Sequence, residues 1–282
     1  MRVWIIFWMT AWMLEASPYV VRRASDLYQR TEYTDSLHVL NADPAPDSSG
    51  YLLIGKDYFM LGDQKRAIEY FEKALAGAPA NSEYELWLAR AWGRRAEESN
   101  WLQAPSFASK ARQHFERAVE LDPANREAKN DLFDFYLNAP GFLGGGLEKA
   151  EALAKGIAAE RPPESEFELA EIADHRKDYA AAEAHLRRAV QLAPAEPGRV
   201  IDLARFVARR GRFTESDELF ERARRLAPGA PRVSFAQART DVENRRNLDR
   251  ARRLLRDYMK ARLTPDDPPR EEAEKLLRRA GG

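Results

Sequence analysis

The sequence predicts an all-α fold built from a repeating pair of antiparallel helices, and three observations predict it. First, a small residue, an apolar residue four positions on and another three beyond that recur along the chain. The sets are Ala67, Phe71 and Ala74; Ala111, Phe115 and Ala118; Ala150, Ala154 and Ile157; Ala182, Leu186 and Ala189; and Ser216, Phe220 and Ala223. Residues at this spacing lie on one face of a helix, where the small ones admit a neighbouring helix and the large one fills the space between. Second, a proline stands twelve residues after the first member of each set, at Pro79, Pro123, Pro162, Pro194 and Pro228. Third, each such stretch is preceded by another helical pattern and a turn.

The elements follow in order. Ala24, Leu27, Ser36 and Leu40 fit a shortened pair. Tyr51, Gly55 and Tyr58 mark the first helix of a full unit, and Gly62-Asp63 turns the chain into its second helix. A glycine at a helix end supplies the left-handed conformation that closes it. The next unit carries an insert at residues 99–106 (SNWLQAPS) with Trp101 in it, and the one after carries residues 138–146 (NAPGFLGGG) with Phe142 and Leu143. Leu169, Ala170 and Ala173 precede the turn Lys177-Asp178-Tyr179, and Leu203, Ala204 and Val207 precede Gly211-Arg212-Phe213. Ala251, Leu255 and Tyr258 mark a last unit that lacks its proline. Residues 266–269 then read as a turn and residues 270–279 as a charged helix that caps the core.

Residues 51–79 (YLLIGKDYFMLGDQKRAIEYFEKALAGAP) resemble the tetratricopeptide repeat nearly position for position, and Pro194 to Pro228 spans that family's period of 34 residues. Inserts of the proline-and-glycine kind recur in its bacterial relatives. The resemblance implies a right-handed α-solenoid of antiparallel helix pairs with a C-terminal capping helix. Its repeats would occupy residues 17–265, with a degenerate first unit and about six more, and residues 266–282 would be cap and tail. It also implies a non-enzymatic scaffold or adaptor that binds a protein or peptide segment in its concave groove. Two alternatives stay open: an accessory subunit presenting substrate to a catalytic partner, or a self-associating structural protein.

In that family the first helix of each unit lines the groove. The matching positions here are Leu52, Lys56, Phe59, Trp87, Arg90 and Arg94, then Asn130, Asp131, Asp134, Glu168, Glu171 and Asp174, then Arg205 and Arg209. They predict a banded groove: apolar and basic, then acidic, then basic. The chaperone-binding members hold a C-terminal carboxylate with Lys, Asn and Arg from three successive units, and Lys56 and Arg90 lack the asparagines of that set. Trp101, Phe142 and Leu143 are further contact candidates, because inserts in repeats map to loops on one face.

Composition narrows the functions. Lys+Arg and Asp+Glu number 45 each, so no basic surplus favours nucleic acid. No cysteine is present, which excludes disulfides, thiolate catalysis and cysteine-bound zinc. His38, His114, His175 and His185 are scattered over the repeats and read as surface histidines, with no metal or other cofactor implied. The glycine run lacks the preceding strand and Gly-Lys-Ser/Thr ending of a phosphate loop, and Glu148 follows it; three glycines accepting positive φ in a sharp connection explain it. Finally, residues 1–16 combine Arg2 with an uncharged apolar run too short to span a bilayer, then Glu15-Ala16-Ser17. They read as an export signal or short membrane anchor, placing the protein in the periplasm or at a membrane, with a cytoplasmic protein as the alternative.

Overall fold

The computed structural model describes residues 16–281, so all but the last residue of the export-like segment 1–16 lies outside the described residues. Among the described residues there are fifteen α-helices and no strand. They form seven consecutive pairs and a final helix. The pairs are α1 (Ala16–Gln29) with α2 (Tyr33–Leu40), α3 (Ser48–Met60) with α4 (Gln64–Gly77), and α5 (Ser82–Glu97) with α6 (Ala104–Leu121). Then come α7 (Arg126–Asn138) with α8 (Leu147–Gly156), α9 (Pro162–His175) with α10 (Tyr179–Leu192), α11 (Pro197–Arg209) with α12 (Phe213–Leu226), and α13 (Pro231–Glu243) with α14 (Leu248–Lys260). The last helix is α15 (Arg270–Arg279). The chain divides into two compact units, residues 1–132 and 133–282.

The repeating small–apolar–small stripe is the buried stripe of every second helix. In the first unit Ala67, Phe71, Ala74, Ala111 and Ala118 are wholly buried, with Phe115 nearly so. In the second, Ala150, Ala154 and Ile157, then Ala182, Leu186 and Ala189, then Ser216, Phe220 and Ala223 are buried likewise. Their partners come from first helices. A Cβ added at Gly55 would stand 2.5 Å from the Phe71 ring, so α3 approaches α4 by an amount only glycine permits. At the far end Ala273, Leu276 and Ala280 of α15 and its exit pack onto Phe235, Ala238, Ala251, Leu255 and Tyr258, closing the second unit's core.

Five of the seven turns within pairs, all but those carrying the two inserts, follow one hydrogen-bond rule. Glu32 N–H donates to Leu27, Asp63 to Tyr58, Asp178 to Ala173, Arg212 to Val207 and Arg246 to Asp241, each to the carbonyl five residues back. This is the Schellman closure, which needs a left-handed residue just before the donor. Gly62 and Gly211 supply it, but Thr31, Lys177 and Arg245 adopt it too, at φ 61, 62 and 52°. Asp63 and Asp178 then cap the next helix by accepting from the N–H groups of Arg66 and Ala181.

Four details differ from the sequence expectation. The insert at 99–106 lengthens helices as well as the loop: α5 and α6 run 16 and 18 residues, against 14 for α4 and α10. Pro79, Pro123, Pro194 and Pro228 sit in turns three residues before the next helix, whereas Pro162 is itself the first residue of α9. The helix before it, α8, already stops at Gly156, and Arg161, the residue before the proline, sits outside helical conformation at φ −135°, ψ 63°. In the 144–146 run, Gly144 and Gly146 take φ 90 and 155° as expected, but Gly145 does not. Gly145 is needed for space, since a Cβ there would meet the Ala139 carbonyl oxygen at 1.9 Å. Lastly, His114 and His185 are not free surface groups. Nδ1 of His114 lies 2.6 Å from Glu85 and that of His185 2.7 Å from Glu166, each joining the second helix of a pair to its first. Both histidines stand three residues after the small residue of their stripe, where α4 places Tyr70, packed on Tyr51 and Tyr58.

Candidate functional site

The residues predicted to line the groove lie on α3, α5, α7, α9 and α11, the first helices of their pairs. Within residues 1–132 they converge on Trp87. The Phe59 ring meets it edge-on at 5.6 Å, while Lys56 Nζ and the Arg90 guanidinium lie 4.8 and 4.7 Å from its ring centre. Both cations are also held from the first helix of the next pair: Lys56 by Glu83 at 2.6 Å, and Arg90 by Asp131 at 2.5 Å and Glu127 at 2.9 Å. Arg94 is exposed and turns to Glu97 on its own helix, at 3.1 Å. Asn130 is half-buried and not without a partner, and Leu52 belongs to the core rather than to the surface.

Within residues 133–282 the predicted acidic band takes a different form. Asp134 is exposed; Asp174 is held by Arg209 at 2.8 Å; and Glu164, one turn before Glu168, is held by Arg199 at 3.0 Å and Arg161 at 3.5 Å. The bands of opposite sign are therefore largely two sides of the same ion pairs. A first helix meets the first helix of the next pair about one period on in sequence, so a basic band faces the acidic band next to it, after it for Arg90 and before it for Arg209. Glu168 is a correction to the groove assignment: it is 2% exposed, and its Oε2 has no hydrogen-bond partner. Burial, reinforced by Glu164, pushes its carboxyl up to about 8. Burial likewise raises Glu171 and pushes Asp202 up to about 6, against the opposing pull of Arg209 on the first and of Arg199 and Arg205 on both.

Arg205 opens onto a cleft of about 450 Å³ between α9, α11, α13 and the segment leading into α15. Phe167, Ile201, Phe235 and Ala236 supply its apolar lining, and Arg199, Asp202, Arg232, Arg239, Asp266, Asp267 and Glu272 its charged rim. The Arg199 guanidinium lies over the Phe167 ring at 4.3 Å. Sequence reading stopped at Arg205 and Arg209 and missed most of this cleft. The period would have found it: Phe167, Ile201 and Phe235 stand 34 residues apart, as do Arg205 and Arg239, and Gly198 and Arg232. The loop candidates differ among themselves. Trp101 and Phe142 are each 80% exposed, while Leu143 is half-buried.

The arrangement offers binding chemistry. Among the described residues no group of three His, Asp or Glu converges as metal ligands would, and no helix is long and apolar enough to cross a membrane. The described histidines either pair with a carboxylate of their own repeat or, for His38 and His175, lie exposed.

Comparison with known proteins places the fold. Residues 48–81 and 175–240 match tetratricopeptide-repeat family models. A tetratricopeptide repeat protein from Parabacteroides merdae superposes with a TM-score of 0.61 at 13% identity, covering 95% of this chain and 100% of its own. A thermophilic TPR protein of Thermus thermophilus gives 0.54 at 19% identity, over 68% of this chain and 98% of that one. The anaphase-promoting-complex hetero-tetramer Cut9–Hcn1 gives 0.51 at 17%, over 95% of this chain and 50% of that one. None of the curated proteins matches the sequence. With repeat signatures at 48–81 and 175–240, and the same paired helices before, between and after them, the chain carries tetratricopeptide repeats and has the fold of tetratricopeptide repeat proteins.

Proposed function

We propose that this protein is a non-enzymatic scaffold that holds a segment of a partner protein against the first-helix face of residues 133–282. Tetratricopeptide repeats mark protein–protein interaction scaffolds in general. The observation that carries the specific reading is the cleft between α9, α11 and α13, where an apolar floor meets several positioned charges. That combination suits a peptide: apolar area gives affinity, and a few fixed polar groups set orientation. The like-folded chain of the Cut9–Hcn1 structure belongs to a hetero-tetramer, which agrees with an assembly role. Arg2 and the apolar run behind it support an exported protein, periplasmic or membrane-associated.

Two measurements test these statements. The immobilised full chain is used to capture partners from native membranes and soluble extract, in parallel with a Phe167→Ala/Arg232→Ser variant shown by circular dichroism to be folded. A prey bound by wild type and lost with the variant is the expected outcome. A prey retained by both would refute the cleft as the binding surface. N-terminal sequencing of protein from its own host tests export: a terminus near Ser17 is expected, and an intact Met1 on soluble cytosolic protein overturns it.

A further inference from the structure

Four arginines line the cleft of residues 133–282, and three are committed to the chain itself. Arg199 pairs with Glu164 at 3.0 Å and Asp202 at 3.2 Å. Arg232 donates to the Asp266 carbonyl oxygen at 2.5 Å. Arg239 pairs with Glu243 at 2.8 Å and Glu272 at 3.1 Å. Arg205, half-buried beside them, makes no hydrogen bond or ion pair to any described residue. Glu171 and Asp202 act on it only through their field, without closing to pairing distance.

The carboxylates of the cleft are mostly satisfied. Asp202 and Glu272 sit on Arg199 and Arg239, and Asp267 accepts from the backbone N–H and hydroxyl of Thr264 at 3.0 and 2.9 Å. Asp266 keeps a free carboxylate, but that residue is exposed at the rim. The guanidinium left without a carboxylate or carbonyl partner inside the cleft is therefore that of Arg205; Arg199 Nη1 also lacks a hydrogen bond, but it stands 3.2 Å from the Asp202 carboxylate. Arg205 stands four residues from Ile201 on α11, with Phe167 across from Ile201 on α9. A half-buried guanidinium without a protein partner leaves its donors to water, and a planar two-oxygen acceptor that takes the place of that water matches its fork.

We propose that Arg205 anchors a carboxylate side chain of the bound protein segment, an Asp or Glu flanked by an apolar residue that covers Phe167 and Ile201. This rests on the scaffold reading and names the chemistry of its partner. The anchor is a single arginine at the capped end of the repeats, on a ligand whose carboxylate belongs to a side chain.

The test is selection of a random twelve-residue phage-displayed library on the full-length chain, the peptides being fused through their C-termini so that only side-chain carboxylates are offered. Wild type should enrich peptides with Asp or Glu next to Leu, Ile or Phe. A synthetic C-terminally amidated consensus peptide, followed by fluorescence anisotropy, should bind Arg205→Glu at least about tenfold more weakly, as expected for loss of a charge-assisted bidentate pair. Arg205→Gln, which keeps a side chain of intermediate size, should lose most of the same affinity, and Asp/Glu→Asn/Gln in the peptide should lose as much. Basic consensus peptides, or binding only when the peptide carries a free C-terminal carboxylate, would overturn the assignment. Peptides that bind wild type and both Arg205 variants alike would remove Arg205 from the site and leave the scaffold reading standing. No enrichment by any folded version would sink both.

Discussion

Asp57 makes the most specific energetic prediction. It lies on α3 in the core of residues 1–132, is 0% exposed, and neither carboxylate oxygen has a hydrogen-bond partner. Burial pushes its carboxyl up to about 7; Ser36 lies close enough to oppose the shift, but its hydroxyl is not in hydrogen-bonding geometry. In the unfolded chain the group ionises near 3.8. The folded state thus binds the proton more tightly, and stability falls as pH rises from the unfolded value through the folded one. The whole penalty, reached above pH 7, is about 4 kcal/mol, and more than half of it develops between pH 5 and pH 8. Asp57→Asn removes the titration while keeping the shape. Urea denaturation followed by far-ultraviolet circular dichroism at pH 5, 6, 7 and 8 reads the difference between variant and wild type. Any constant cost of the amide cancels in that comparison, and so do other titrating groups. The variant should gain on wild type by about 2–3 kcal/mol from pH 5 to pH 8. A difference that stays flat across that range would refute the argument that this carboxyl is buried and unpartnered.

Three further outcomes follow from packing and backbone. Phe71→Ala and Phe220→Ala each empty a site that is at most 1% exposed, and each should cost about 3–5 kcal/mol in thermal or urea denaturation. Gly55→Ala adds a methyl 2.5 Å from the Phe71 ring and should destabilise by about 1–3 kcal/mol; its cost should shrink in the Phe71→Leu background, a coupling that a double-mutant cycle measures. Lys177→Gly relieves a left-handed residue at φ 62° in a turn where Gly62 and Gly211 stand in equivalent pairs, and should raise stability by about 0.5–1 kcal/mol in the same assay.

Much of the fold was legible because each repeat states the same local rule again. Ala67, Phe71 and Ala74 are a helical face in any context, and five linked recurrences of that face leave little freedom in how helices pair. The short turns were legible for the same reason, since a glycine before a capping Asp has one economical geometry. Legibility failed where a position is decided by a neighbour distant in sequence. Pro162 sits on period but starts a helix, because α8 ends early at Gly156 and a proline is tolerated at the first position of a helix. Glu168 reads as a groove residue by its place on α9, yet neighbouring helices cover it. His114 and His185 look like surface groups until Glu85 and Glu166 on the partner helices are placed beside them.

By itself the sequence determined the helix pairs, their period and the residues that form the buried stripe, because those follow from side-chain size at fixed spacing along one helix. Only the tertiary structure decided which charges remain available. Arg90, Arg199, Arg205 and Arg209 are the same residue type on the same kind of helix face. Three of them are held by carboxylates on adjacent helices, and Arg205 is not. Ion pairing acts over a few ångströms between side chains about 35 to 41 residues apart here, so it is fixed by how helices stack and not by any pattern within one of them.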